Sequence, residues 1–247
     1  MHLNSSRPFV DGWRGRIGLV ATAPGNATEA EFNRYRPEGV AVMTTRTPLT
    51  SSTPKGIRAM NRGVEEAAAM LAENAYCDVI LLSSTAGSFV EGLQADLAQA
   101  RRLSQELHAT VLTSAHCVVE AASALGVGSV LLVTPSAPEL NQLEKRYLEE
   151  SGLSVAAEAG FGYTSPRDIL SIPPVEVERL VRRSDIPQAD AVLISCSGLH
   201  VMDRIQTMEE QLGKPVLTSN QVGLWGCLRA LGVPPVEKRL GALFCTC

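Results

Sequence analysis

The chain has 247 residues, 45% of them hydrophobic and 19% charged, with a net charge of −4. A chain of this size and balance buries a substantial core as one large or two small α/β domains, and it is not a disordered polymer. There is no basic stripe to recruit nucleic acid, no apolar run near the ~20 residues that span a bilayer, and no signal-peptide core in MHLNSSRPFV. A soluble, cytoplasmic protein with neither membrane nor nucleic-acid partner is therefore expected.

Short Val/Ile/Leu-rich runs alternate with helical periodicity from end to end. In chain order the runs are IGLVAT from Ile17, VAVMTT from Val40, VILLSS from Val79 and TVLTS from Thr110. VLLVTP from Val130, VAAEAG from Val155, AVLISC from Ala191 and PVLTS from Pro215 follow. Continuous apolar runs without polar alternation predict parallel strands covered on both faces. Between them, apolar residues spaced by three or four predict helices over 54–74, 97–108, 140–150 and 221–231, with Pro54 near the first turn of its helix. Strand and helix in alternation predict a doubly wound parallel α/β fold.

The chain also nearly repeats itself. DVILLSSTAGSF from Asp78 resembles DAVLISCSGLHV from Asp190 at an offset of 112 residues, which pairs Ser84 with Cys196. TVLTSAHCVVEAASALGV from Thr110 pairs with PVLTSNQVGLWGCLRALGV from Pro215, and GRIGLVATAP from Gly15 with GSVLLVTPSAP from Gly128. The repeat predicts two pseudo-symmetric lobes, each a parallel sheet flanked by helices, with the active site in the cleft between them.

Ligands of open α/β sheets bind beyond the carboxyl ends of the strands. Polar clusters stand there at five places: Thr22 to Asn26, Ser83-Ser84-Thr85, Thr134-Pro135-Ser136, Ser195-Cys196-Ser197-Gly198 and Thr218-Ser219-Asn220. Hydroxyls and helix-start N–H groups in such numbers suit carboxylate oxygens, although any one cluster alone reads as helix capping. Cys196 in such a turn reads about equally as a thiol with a lowered pKa or as a buried structural cysteine. Cys77, Cys117 and Cys227 read as structural; Cys245 and Cys247 form a tail pair, and no zinc-ligand spacing is present. Neither His200, four residues beyond Cys196, nor His116 completes a hydrolase triad, and neither G-x-S-x-G nor a nucleotide-binding glycine loop occurs.

GLVATAPGNATEAEF, LLSSTAGSF, VLLVTPSAPELN, LISCSGLHVMDRI and PVLTSNQVGLWGCLRALGV together resemble the aspartate/glutamate racemase superfamily, closest to its branch of maleate cis-trans isomerases and arylmalonate decarboxylases. The resemblance runs from about 15 to 233. It implies a cofactor- and metal-independent enzyme on a small carboxylate or dicarboxylate, a homo-oligomer, and a chain end returning to the first lobe. The lobes would then be 1–115 with 220–247, and 116–219.

Racemases and isomerases of this kind use a cysteine from each lobe. Here Cys196 matches the second and Ser84 stands at the first, an arrangement that resembles the one-thiol decarboxylases. By the same resemblance Thr85 matches the threonine of the first-lobe loop, Ala86 stands where the decarboxylases have serine, and Ser136 where both groups have tyrosine. Ser197 replaces a glycine beside Gly198, and Asn26 resembles the isomerases' asparagine. The expected reaction is decarboxylation or a related lysis through an enediolate protonated by Cys196. Ser84, Asn26, Thr85, Ser136 and the backbone near Ser197 and Gly198 would hold the carboxylates. Isomerisation or racemisation, with Ser84 in place of a thiol, is the second reading, and a non-catalytic carboxylate-binding protein the third.

Overall fold

A computed structural model describes residues 9–246. All eight predicted strands form, and every pairing is parallel. The chain runs β1 (Gly15–Thr22), α1 (Ala27–Tyr35), β2 (Val40–Thr47), α2 (Pro54–Asn61), α3 (Val64–Glu73) and β3 (Val79–Leu82). It continues through α4 (Thr85–Glu91), α5 (Leu93–Leu107), β4 (Thr110–Thr113), α6 (Ser114–Ala124), β5 (Ser129–Ser136) and α7 (Pro138–Glu150). Then come β6 (Ser154–Tyr163), α8 (Pro166–Leu170), α9 (Pro174–Ser184), β7 (Ala191–Ile194), α10 (Ile205–Leu212), β8 (Val216–Thr218) and α11 (Ser219–Leu231).

The strands form two four-stranded sheets of one topology, β2-β1-β3-β4 and β6-β5-β7-β8. The internal repeat is visible in equivalent hydrogen bonds. Asp78 Oδ2 accepts from the Arg16 N–H at 2.9 Å, and Asp190 Oδ2 accepts from the Ser129 N–H at 2.8 Å, each carboxylate holding the start of its central strand. Thr113 caps α6 by accepting from the His116 N–H, and Thr218 caps α11 by accepting from the Gln221 N–H, both at 3.2 Å.

Successive residues of β1 and β3 serve opposite faces. Ile17, Leu19 and Leu81 join a core shared with the second sheet, while Val20, Ile80 and Leu82 pack under α3 and α5. On the shared side α11 lies against β3 and β4. Gly223 permits that approach, since a Cβ there would stand 2.8 Å from Leu81 Cδ2.

Three expectations change. The helix predicted over 54–74 is two, broken at Arg62-Gly63, where glycine is the weakest helix former of the run. The helix predicted over 97–108 begins a turn earlier, after Gly92, and ends as His108 turns left-handed (φ 51°). β6 is an edge strand whose residues alternate between exposed and half-buried, so VAAEAG is not covered on both faces. No described helix is long and apolar enough to cross a membrane.

Candidate active site

The carboxyl ends of β1, β3, β5 and β7 face one cleft of about 640 Å³ between the sheets. The Ser52 N–H, in the loop after β2, donates to the Thr164 carbonyl at 2.7 Å and ties the lobes together beside it. One wall is apolar, with Leu49, Ile57 and Phe89 from the first lobe meeting Leu140, Ile169 and Leu170 from the second. Among the described residues no Arg, Lys or His side chain lines the cleft. An anion here is met by neutral hydrogen-bond donors rather than a countercharge.

Seven of the eight site residues picked from the sequence line this cleft: Ser84, Thr85 and Ala86 from the first lobe, and Ser136, Cys196, Ser197 and Gly198 from the second. Asn26 does not. It is exposed, one residue beyond the cleft-lining Gly25, with Oδ1 3.4 Å from His200 Nε2. The cluster of Thr218, Ser219 and Asn220 also stands apart, all three buried outside the cleft wall, with Thr218 and Gln221 closing a reciprocal cap on α11. Thr134 turns away to hydrogen-bond Asn141 at 2.6 Å. His116 neighbours Glu120 on its own helix, 3.7 Å away.

Ser84 caps α4, its Oγ accepting from the Gly87 N–H at 3.2 Å, which leaves the hydroxyl proton to be donated. Among the described residues neither an imidazole nor a carboxylate hydrogen-bonds it to activate it as a base or a nucleophile.

Cys196 is half-buried, and its sulfur accepts from the Gly198 N–H at 3.3 Å. The lowered pKa considered from the sequence is not found: burial pushes the thiol up to about 11, with Glu144 adding to the rise and the Gly198 and Leu199 N–H groups opposing it. The physical reason is local. No helix starts behind the sulfur, because helical structure resumes only at Met202, so no first-turn dipole favours the thiolate. A pKa raised in this direction favours the protonated thiol over the thiolate. The other described cysteines are free thiols; Cys77 and Cys117 are buried and pushed up to about 11 and 12, and Cys227 is likewise raised by burial. Cys247 lies outside the described residues, and the tail pair with it.

Two features escaped the sequence reading. The first holds the cysteine turn from α1 and α11: the Ser197 carbonyl accepts from Thr28 Oγ1 at 3.1 Å and Asn220 Nδ2 at 3.3 Å. Asn220 also donates to Glu31 Oε2 at 2.7 Å, and Glu31 Oε1 accepts from the Met202 N–H at 2.9 Å. Burial pushes Glu31 up to about 7 against these donors. The second is Glu144, a buried carboxyl in the cleft wall that sits among charged residues in LEKRYLEE. Its signal was positional: Leu140, Glu144, Tyr147 and Leu148 share one helical face, so the charge stands on the apolar side.

Fold and site together define a two-lobed parallel α/β protein whose cleft, among the described residues, offers one thiol and a set of neutral hydrogen-bond donors. The family model for arylmalonate decarboxylase matches residues 17–244, and the chain belongs to that family. It is 28% identical over 220 residues to an arylmalonate decarboxylase of Bordetella bronchiseptica, covering 87% of this chain and 90% of that one. To a maleate isomerase of Nocardia farcinica (strain IFM 10152) it is 27% identical over 238 residues, covering 92% and 94%. A solved structure of a cysteine-to-serine mutant of the Nocardia farcinica maleate cis-trans isomerase, with a covalently bound succinylcysteine intermediate, superposes with a TM-score of 0.88 at 26% identity, covering 93% of this chain and 98% of that one.

Proposed function

We propose that this protein is a cofactor-independent decarboxylase of small malonate-type dicarboxylates, in which Cys196 protonates an enediolate on one face. The observation that carries this reading is the single cleft thiol: Cys196 lines the cleft, Ser84 stands at the repeat-equivalent position, and burial pushes the thiol up to about 11, which favours its protonated form. A two-thiol exchange needs a second sulfur, and addition to a double bond needs a thiolate. Proton donation needs only the S–H.

The retained carboxylate is held by the Ser84 and Thr85 hydroxyls, Ser136 and the backbone around Ser197, while the carboxylate to be lost lies against the apolar wall. Poor solvation there favours loss of charge from that group. The bond from the α-carbon to that carboxylate breaks, CO₂ departs, and the electron pair moves into the retained carboxylate to give an enediolate. Preorganised neutral donors stabilise the developing charge. The Cys196 S–H delivers its proton to the α-carbon, and the resulting thiolate recovers a proton from water, which its high pKa favours. Ala86 and Gly198 leave room for the substrate backbone, and Asn26, outside the lining, serves at its edge.

Proton NMR in D₂O with phenylmalonate and maleate tests the reading. Phenylmalonate is expected to lose CO₂ and gain one deuterium at the α-carbon. Conversion of maleate to fumarate with phenylmalonate untouched contradicts it in favour of isomerisation, and turnover of neither contradicts it in favour of a binding protein.

A further inference from the structure

Two buried polar groups in the cleft wall face each other without a hydrogen bond of normal length. Glu144 on α7 and Ser195 after β7 are each 4% exposed, and neither Glu144 Oε1 nor Ser195 Oγ makes a hydrogen bond within normal distance. Both residues line the cleft. An unpaired buried polar atom costs as much as a lost hydrogen bond, so two on one wall call for a polar group brought by a ligand.

The internal repeat supplies a control. Ser83 is the repeat equivalent of Ser195, and its hydroxyl donates to the Val20 carbonyl at 3.1 Å. The equivalent carbonyl is present in the second lobe, where Val133 accepts from the Ser195 N–H at 2.9 Å, yet the Ser195 hydroxyl does not use it. The serine hydroxyl is taken up by its own strand neighbour in one lobe and faces only the Glu144 carboxyl, beyond normal hydrogen-bond length, in the other.

We propose that Glu144 and Ser195 together bind an oxygen of the substrate carboxylate, with Glu144 as a hydrogen-bond donor. The proposal rests on the carboxylate reading above and assigns a recognition residue to it. Glu144 lies in the same lobe as Cys196, so it does not supply the proton donor missing from the opposite face.

The charge logic is consistent with donation. Burial pushes Glu144 up to about 8, opposed by the Ser195 hydroxyl and reinforced by Glu158. The titratable groups facing it are Glu158 from β6, which is itself bound by Asn141 Nδ2 at 2.8 Å, and Cys196 after β7. β5 carries none, and α4 carries only Glu91, exposed and bound by Asn61 at 3.0 Å. Asp96 of α5 is taken up by the Tyr147 hydroxyl at 2.7 Å, nearly one turn along α7. Below pH 8 Glu144 is thus a neutral acid that welcomes a carboxylate; above it, a carboxylate that repels one.

Calorimetric titration of phenylacetate, ionised throughout, into wild type, Glu144→Gln and Glu144→Leu at pH 7 and pH 9.5 tests the assignment, with melting temperatures recorded as a folding control. Wild type is expected to lose about tenfold or more in affinity at the higher pH, because a group titrating near 8 is almost wholly ionised there. Glu144→Gln, which keeps an N–H donor and cannot ionise, should bind about equally at both. Glu144→Leu should bind about tenfold or more weakly at both. Wild-type affinity that does not change with pH, or Glu144→Leu binding as tightly as wild type, overturns the role of Glu144 and leaves the carboxylate reading standing. No binding by wild type at either pH, with no malonate turned over, overturns both.

Discussion

Replacing Cys196 by alanine is expected to lower kcat by about 10²–10⁴-fold, the range that a positioned general acid contributes, while leaving carboxylate affinity nearly unchanged. The thiol faces the cleft and is only half-buried, so its loss removes little core packing. None of the proposed carboxylate donors, Ser84, Thr85 or Ser136, hydrogen-bonds the sulfur, and they survive the substitution. Steady-state kinetics with a malonate, beside titration with phenylacetate, separates kcat from binding. A variant with undiminished kcat would remove Cys196 from the chemistry; one with lost affinity would make it a binding residue.

The second large effect is expected from a residue that lies outside the cleft. Asn220→Leu takes the donor from Glu31 Oε2 and from the Ser197 carbonyl, and the acceptor from Thr28 Oγ1. All are contacts of a buried network joining the first lobe to the cysteine turn, and breaking such a network costs about 2–4 kcal/mol. For a chain of this size that lowers Tm by roughly 5–15 °C.

The loss carries a pH signature. Glu31 has its folded pKa raised to about 7 from 4.5, so between these values the unfolded chain releases the proton first and stability falls as pH rises. The Asn220 N–H favours the charged form, and its contribution is larger once Glu31 is ionised. Asn220→Leu should therefore cost more stability at pH 8 than at pH 5, as thermal melts at the two pH values would show. Ser197, left with Thr28 Oγ1 as its remaining donor, should also let kcat fall by about tenfold or more, as expected when a reacting group is slightly misplaced. Equal destabilisation at both pH values would detach Asn220 from the charge of Glu31.

The eight strands were legible because a strand covered on both faces reads as an unbroken apolar run. β6 was legible as a strand but not as an edge, since Ala and Gly record little of which side meets solvent. The break between α2 and α3 was marked by Gly63 inside an otherwise continuous helical pattern. Ser84 and Cys196 came directly from the internal repeat, which places each after the equivalent strand of its lobe. Thr28, Glu31 and Asn220 did not, because their meaning lies in contacts across some 170–190 residues of chain. The thiol's acidity was left open between two readings because the sequence displays the polar turn around Cys196 but not its burial, nor the absence of a helix start behind it. Glu144 was hidden among the charges of α7, distinguishable only by its helical face.

The central claim is that one thiol delivers one proton to one face of the bound intermediate. The measurement that tests it most directly is the enantiomeric composition of the acid formed from a malonate bearing two different α-substituents, an aryl and a methyl group. The account predicts a single enantiomer, because Cys196 is the proposed proton donor and Ser84, at the repeat-equivalent position, gives its proton to the retained carboxylate. A racemic product would contradict it, showing that water or a second group reaches the other face as readily.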